Sequence, residues 1–171
     1  MIAASLPEDE CHSYYRPYVN LLGDNELLPA LNNGAVQMND FMSTLQLDRL
    51  RYTYGDGKWT VAEVLMHIID AERIFQYRAL RFARNDASPL MGFEQDDFIV
   101  ESGAERKTIA DILKEYQTVR SATLALFESF TQAQLQRLGE ANSATVSVRA
   151  LGFIIAGHQL HHMNVLLERY L

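Results

Sequence analysis

Apolar residues recur every three or four positions along most of this chain, and no segment sustains the every-second-residue alternation of a strand. That pattern calls for helices that each bury one face, and it predicts an all-α fold. The first long helix is expected from near Asn25 to about Leu45, with Leu28, Leu31, Ala35, Met38, Met42 and Leu45 as its apolar stripe. Pro29 is tolerated because it lies near the start. Gly34 weakens the interior by up to about 1 kcal/mol relative to alanine. The second helix has a marked beginning after the turn at Gly55 and Gly57. Thr60-Val61-Ala62-Glu63 is a capping box, in which the threonine oxygen accepts from the backbone and the glutamate reaches back. This helix runs to about Arg84. Thr108 is the expected N-cap of a third, carrying Ile109, Ile112, Leu113, Tyr116, Val119, Thr123, Leu126, Phe127 and Phe130. Thr131 and Gln134 form a weaker capping box that opens one short helix, and the fourth long helix runs from near Ser147 to the C-terminus.

Four such helices most simply make a bundle. Residues 85–107, which include Pro89, Gly92 and Gly103, are a longer link than adjacent antiparallel helices need. A link of that length can run along the bundle, so helices two and three are expected to be parallel. The order is then up-down-down-up, with a long crossover between helices two and three. The chain reads as a single domain over residues 1–171, with residues 1–23 an N-terminal extension that packs on the bundle.

A chain of 171 residues buries roughly 70% of its unfolded surface and needs no staple to fold. A bound metal would therefore serve function rather than folding. The net charge of −7 and the scattered basic residues exclude nucleic-acid binding, which needs clustered Lys and Arg. The same charge disfavours anionic membranes. Arg78, Arg81 and Arg84 come nearest to a cluster and read as a solvated stripe or a small anion patch. No run of apolar residues is long enough to span a membrane, and Met1–Glu10 lacks the pattern of a signal peptide. Cys11 is the only cysteine, so no internal disulfide forms, which suits a cytoplasmic location. Beside His12 it reads as an ordinary thiol rather than a reactive pair.

The chemistry lies in His158-Gln159-Leu160-His161-His162, inside the otherwise apolar run Leu151–Leu167. Residues four apart share a helix face, so His158 and His162 point the same way. Buried imidazoles need partners, and three readings stand: a shared metal, a proton relay, or two separately hydrogen-bonded rings. His67, on the apolar face of the second helix with Val64, Ala71 and Ile74, supplies a third imidazole. Three nitrogen ligands suit a catalytic divalent ion with an open position. His161 falls one position off the pair and reads as a non-ligand, and His12 as unrelated. Asp70 is the best carboxylate for a catalytic role, against an ordinary ion pair with Arg73 or Arg78. Glu63 is explained by capping and Glu168–Arg169 by a solvated helix end. Phe75, Tyr77 and Phe82 read as core or interface.

Read together, several stretches give the chain a resemblance to the DinB/YfiT-like superfamily. It begins at Arg16-Pro17-Tyr18-Val19 and is carried by Gly57-Lys58-Trp59-Thr60 through His67, then Ile68-Ile69-Asp70-Ala71-Glu72-Arg73. It continues through Phe75–Arg84, the Phe93-Glu94-Gln95-Asp96-Asp97 link, Ser147–Leu151, Gly157-His158 and His161-His162. The resemblance implies a four-helix bundle with the long crossover. It also implies a divalent metal (nickel, zinc, iron or manganese) on His67, His158 and His162, with water completing the shell. It further implies a homodimer acting on a small-molecule substrate. Some relatives transfer low-molecular-weight thiols such as bacillithiol, and related bundles include a mycothiol-dependent isomerase. A metal-dependent S-transferase with a small thiol cosubstrate is accordingly the first expectation. A hydrolase acting through a metal-bound water is the second, and a non-catalytic metal- or ligand-binding dimeric module the third.

Overall fold

Hydroxyl side chains set where three of the four long helices begin. A computed structural model describes residues 1–171. In it Thr60 opens a helix over Val61–Ala83: its Oγ1 accepts from the Glu63 N–H at 3.3 Å, and the Glu63 carboxylate accepts from the Thr60 N–H at 2.7 Å. Thr108 and Asp111 repeat the device at the start of Ile109–Glu128, and Thr131 and Gln134 at the start of Gln132–Leu135. Ser147 caps Val148–Arg169 by accepting from the Ala150 N–H at 3.0 Å. In chain order the helices are α1 (Arg16–Asn20), α2 (Leu27–Thr44), α3 (Val61–Ala83), α4 (Gln95–Glu101), α5 (Ile109–Glu128), α6 (Gln132–Leu135) and α7 (Val148–Arg169).

The long helices α2, α3, α5 and α7 form a four-helix bundle. Helix α7 packs on both α2 and α3, and α5 closes the ring by packing on the same two. The link over 85–107 is not bare loop: it carries α4, which rests on α3. Ahead of the bundle, α1 lies against α7. The approach is so close that a Cβ at Gly157 would sit 2.1 Å from the Tyr18 carbonyl oxygen, so only glycine fits there. No helix is long and apolar enough to cross a membrane.

The all-α expectation needs one correction. Residues 138–147 form an antiparallel hairpin, β1 (Leu138–Ala141) with β2 (Ala144–Ser147), paired from Leu138↔Ser147 to Ala141↔Ala144. The turn places both Asn142 and Ser143 at positive φ, which suits the right-handed twist of a two-residue hairpin. Strands of four residues are too short to show sustained alternation.

Two apolar clusters fill the bundle. One contains Leu31, Phe75, Phe82, Phe127, Phe153 and Ile154; the other contains Met38, Leu65, Ile69, Ile112, Met163 and Leu166. On every long helix a polar layer falls between them. Arg120 is 1% exposed and Glu72 2%. The guanidinium donates through Nε and Nη2 to both Glu72 oxygens, each at 2.8 Å. Its Nη1 donates to the Leu31 carbonyl at 2.9 Å, and Nη2 also to Gln159 Oε1 at 2.6 Å. Thr123 donates to Glu72, Tyr116 to Gln159, and Gln159 Nε2 to the Gly34 carbonyl. This explains the helix-weakening glycine: a Cβ at Gly34 would lie 2.9 Å from the Arg120 guanidinium. Every buried side-chain polar atom has a partner.

Candidate metal centre

His67 lies two turns into α3, and His158 and His162 lie one turn apart on α7, which packs on α3. The three rings converge. His158 Nε2 is 3.0 Å from His67 Nε2 and 3.1 Å from His162 Nε2. His67 and His158 are buried, and His162 is half-buried. A ring nitrogen has a single in-plane site, either one N–H or one lone pair. His158 Nε2 therefore cannot satisfy two facing nitrogens by hydrogen bonding. That argues against both the proton relay and the pair of independent rings. A cation facing all three lone pairs satisfies them together. Tetrahedral ligands at 2.0–2.1 Å stand about 3.3–3.4 Å apart, within a few tenths of an ångström of the two spacings at His158. The three ligand atoms all lie within 4.8 Å of one another, and the donor set fits a divalent metal.

The surroundings hold these rings in the neutral form that a metal requires. Burial pushes the His67 pKa down to about 4, against a small opposing pull from Asp96. Burial, then His67 and His161, pushes His162 down to about 3. Burial, then His162, His67 and His161, puts His158 well below the ordinary range. Between pH 6.5 and about 4 the unfolded chain takes up protons on these histidines, and the folded chain does not. The metal-free protein is expected to lose on the order of a few kcal/mol of stability as pH falls through that window. Urea unfolding of chelator-treated protein checks this, and His162→Gln should flatten the slope.

One wall of the cluster borders a pocket of about 340 Å³ that includes His67, His158, Tyr15, Tyr18, Phe75 and Arg78. The link closes it with Phe93, Glu94 and Gln95. Tyr18 meets the His158 and His161 rings edge-on, each with centroids 5.3 Å apart. A second opening, on the His162 side, includes Trp59, Asp96 and His161.

Asp70 is not brought to the cluster. Its carboxylate accepts from Arg73 at 3.1 Å and lines a separate groove with Arg73, Lys107 and Glu115. Being three residues after His67, it is rotated about 60° from the histidine face and meets α5 instead. His161 is half-buried beside the cluster and makes no imidazole–imidazole hydrogen bond to it. Glu63 caps α3, and Cys11 is buried away from the histidines, next to Arg16 and Pro17. Phe82 is core and Tyr77 exposed, whereas Phe75 both packs in the core and lines the pocket. The arginines do not act as one stripe: Arg81 pairs with Asp86, Arg84 is exposed, and Arg78 is buried. Sequence reasoning gave Arg78 a place only in a solvated stripe or small anion patch, and passed over Tyr18, Glu94 and Asp96 as site residues. Only their nearness to the motifs could have flagged them, because the pocket is assembled from the N-terminal segment and the link.

The family model of the DinB superfamily matches residues 31–166. A Geobacillus thermodenitrificans protein named "Putative metal-dependent hydrolase" is 27% identical over 139 residues, covering 80% of this chain and 74% of that one. A similarly named protein of Oceanobacillus iheyensis is 23% identical over 141 residues, covering 81% and 80%. The structure is similar to YfiT from Bacillus subtilis, described as "a probable metal-dependent hydrolase with an unusual four-helix bundle topology". The TM-score is 0.76 at 14% identity, over 95% of this chain and 90% of that one.

Proposed function

The chain belongs to the DinB superfamily, and from that premise we propose that it is a metal-dependent hydrolase of small molecules, with His67, His158 and His162 as the ligands of one divalent ion. The observation that carries the reading is the convergence of three neutral imidazole nitrogens, two of them on one nitrogen of His158, at the wall of an open pocket. A divalent ion held there would supply Lewis acidity and would make water nucleophilic near neutral pH. The chain's own groups do the rest. Glu94 borders the pocket with His67 and His158, and we assign its carboxylate the role of accepting a proton from the attacking water. Tyr15, Phe75 and Phe93 supply apolar walls that orient the substrate and limit water. Asp70, occupied with Arg73, supports α3 rather than the chemistry.

The helix order belongs to the same reading. We take it as up-down-down-up. Leu65 and Ile69 share one core with Ile112, and Phe75 and Phe82 share the other with Phe127, which supports α3 running the same way as α5; Gly34 bonds Gln159 and Leu27 nears Gly152, which supports the same for α2 and α7.

The second reading is transfer of a small thiol to an electrophile. What favours it is that the single thiol of the chain, Cys11, lies away from the histidines, so a sulfur nucleophile would have to arrive as cosubstrate. One experiment separates the two. Metal-loaded protein is expected to hydrolyse activated nitrophenyl esters, to stop on chelation, and to lose about 100-fold in rate on Glu94→Gln. Turnover of electrophiles only with added thiol, and none of the esters, would decide for transfer.

A further inference from the structure

Three guanidiniums are buried in this protein, and two of them have a carboxylate. Arg120 pairs with Glu72 and Arg149 with Glu10. Arg78 is as buried, at 3% exposure, yet it has no carboxylate within ion-pair distance. Its one hydrogen bond runs from Nη2 to the Met91 carbonyl at 3.0 Å, and its charge lies over the Phe75 ring at 5.8 Å from the centroid. Arginine carries five N–H donors and stays charged. Removing such a charge from water without an anion costs several kcal/mol. No enclosed side-chain nitrogen is left without a partner, so the unused donors of Arg78 open onto the pocket that it lines.

The pocket places those donors with respect to the histidines. His67, Ala71, Phe75 and Arg78 follow one another along one face of α3, and all four line the pocket. Eleven residues separate the ends, about 16 Å along the helix axis. The long Arg78 side chain leans back toward the helix N-terminus and shortens the gap. Between the ends the walls are aromatic: Tyr15, Tyr18, Phe75 and Phe93.

We infer that this pocket binds a small organic carboxylate, its acid group held by the Arg78 fork and its apolar body laid along Phe75 toward the histidines. A guanidinium fork matches the two oxygens of a carboxylate. Glu94 already contributes one negative charge to the same pocket. A monoanion is thereby favoured over a phosphate dianion. This inference rests on the pocket being the substrate site of the proposed hydrolase, and it narrows the substrate to esters or amides that carry a free acid at the far end.

The test is calorimetric titration of metal-containing protein with phenylbutyrate and with its neutral amide. The wild type should bind the acid at least tenfold more tightly. Arg78→Met should remove that preference with metal content unchanged, and Arg78→Lys, which keeps the charge without the fork, should reduce it at least threefold. Equal binding of acid and amide by the wild type would overturn the inference. So would a full preference surviving in Arg78→Met, which would place the acid on the metal. If Arg78→Met does not fold, Arg78→Lys decides: an undiminished preference overturns the inference. An intact acid preference in a protein that hydrolyses no ester would sink the hydrolase reading and leave the acid site standing. Hydrolysis without the preference would do the reverse.

Discussion

Replacing His158 by alanine is expected to empty the site of metal while leaving the helices in place. His158 is the hub: its Nε2 is the nitrogen that faces both His67 and His162, at 3.0 and 3.1 Å. Loss of a residue that merely orients a metal ligand costs ten- to a hundredfold in affinity, so loss of the central ligand should cost at least about 100-fold. Elemental analysis of the purified variant should fall from near one divalent ion per chain to a small fraction. The helical circular dichroism should stay, because α7 is held elsewhere by Phe153, Ile154 and Leu166 against the two cores. His161→Ala is the control. Its ring touches Tyr18 and His162 but not the other ligand nitrogens, so the variant should keep its metal. Equal metal loss in both variants would mean that the cluster responds to general disruption of α7 rather than to the removal of a ligand.

The second large effect lies in the polar layer. Glu72→Leu would leave Arg120 charged and buried with no acid, and would leave Thr123 only the Val119 carbonyl as acceptor. Removing one member of a buried pair costs about 3–5 kcal/mol, which for a chain of this size lowers Tm by roughly 6–20 °C. The double variant Glu72→Leu/Arg120→Met should recover much of this, since an apolar pair leaves no uncompensated charge. Recovery should stay incomplete by about 1–3 kcal/mol, because Arg120 also satisfies the Leu31 carbonyl and Gln159. Urea unfolding of the three proteins measures the cycle. A double variant no better than the sum of its singles would show that the pair does not act as a unit.

That layer also shows where sequence reading stopped. The long helices were legible because Thr60, Thr108 and Ser147 announce their starts chemically, and because apolar spacing marks their buried faces. The histidine face was legible because a spacing of four residues on a helix fixes direction. Glu72 and Arg120 were not, since charged residues on a helix default to solvent, and only the tertiary pairing reveals that these two face inward. The three arginines Arg78, Arg81 and Arg84 looked alike in sequence. In the fold, the first turns under the link to meet Met91, the second meets Asp86, and the third faces solvent. The hairpin escaped because Asn142-Ser143 is a weaker turn signal than Asn-Gly and its strands hold four residues each. The pocket escaped altogether, because Tyr15 and Tyr18 come from one end of the chain and Phe93 and Glu94 from the link.

The decisive measurement is anomalous X-ray scattering from crystals of metal-supplemented protein, collected at the absorption edge of the metal found by elemental analysis. The expected result is one peak per chain about 2.0–2.1 Å from Nε2 of His67, His158 and His162. A peak held by other residues, or three imidazoles bonded only to one another or to water in fully supplemented protein, would contradict it.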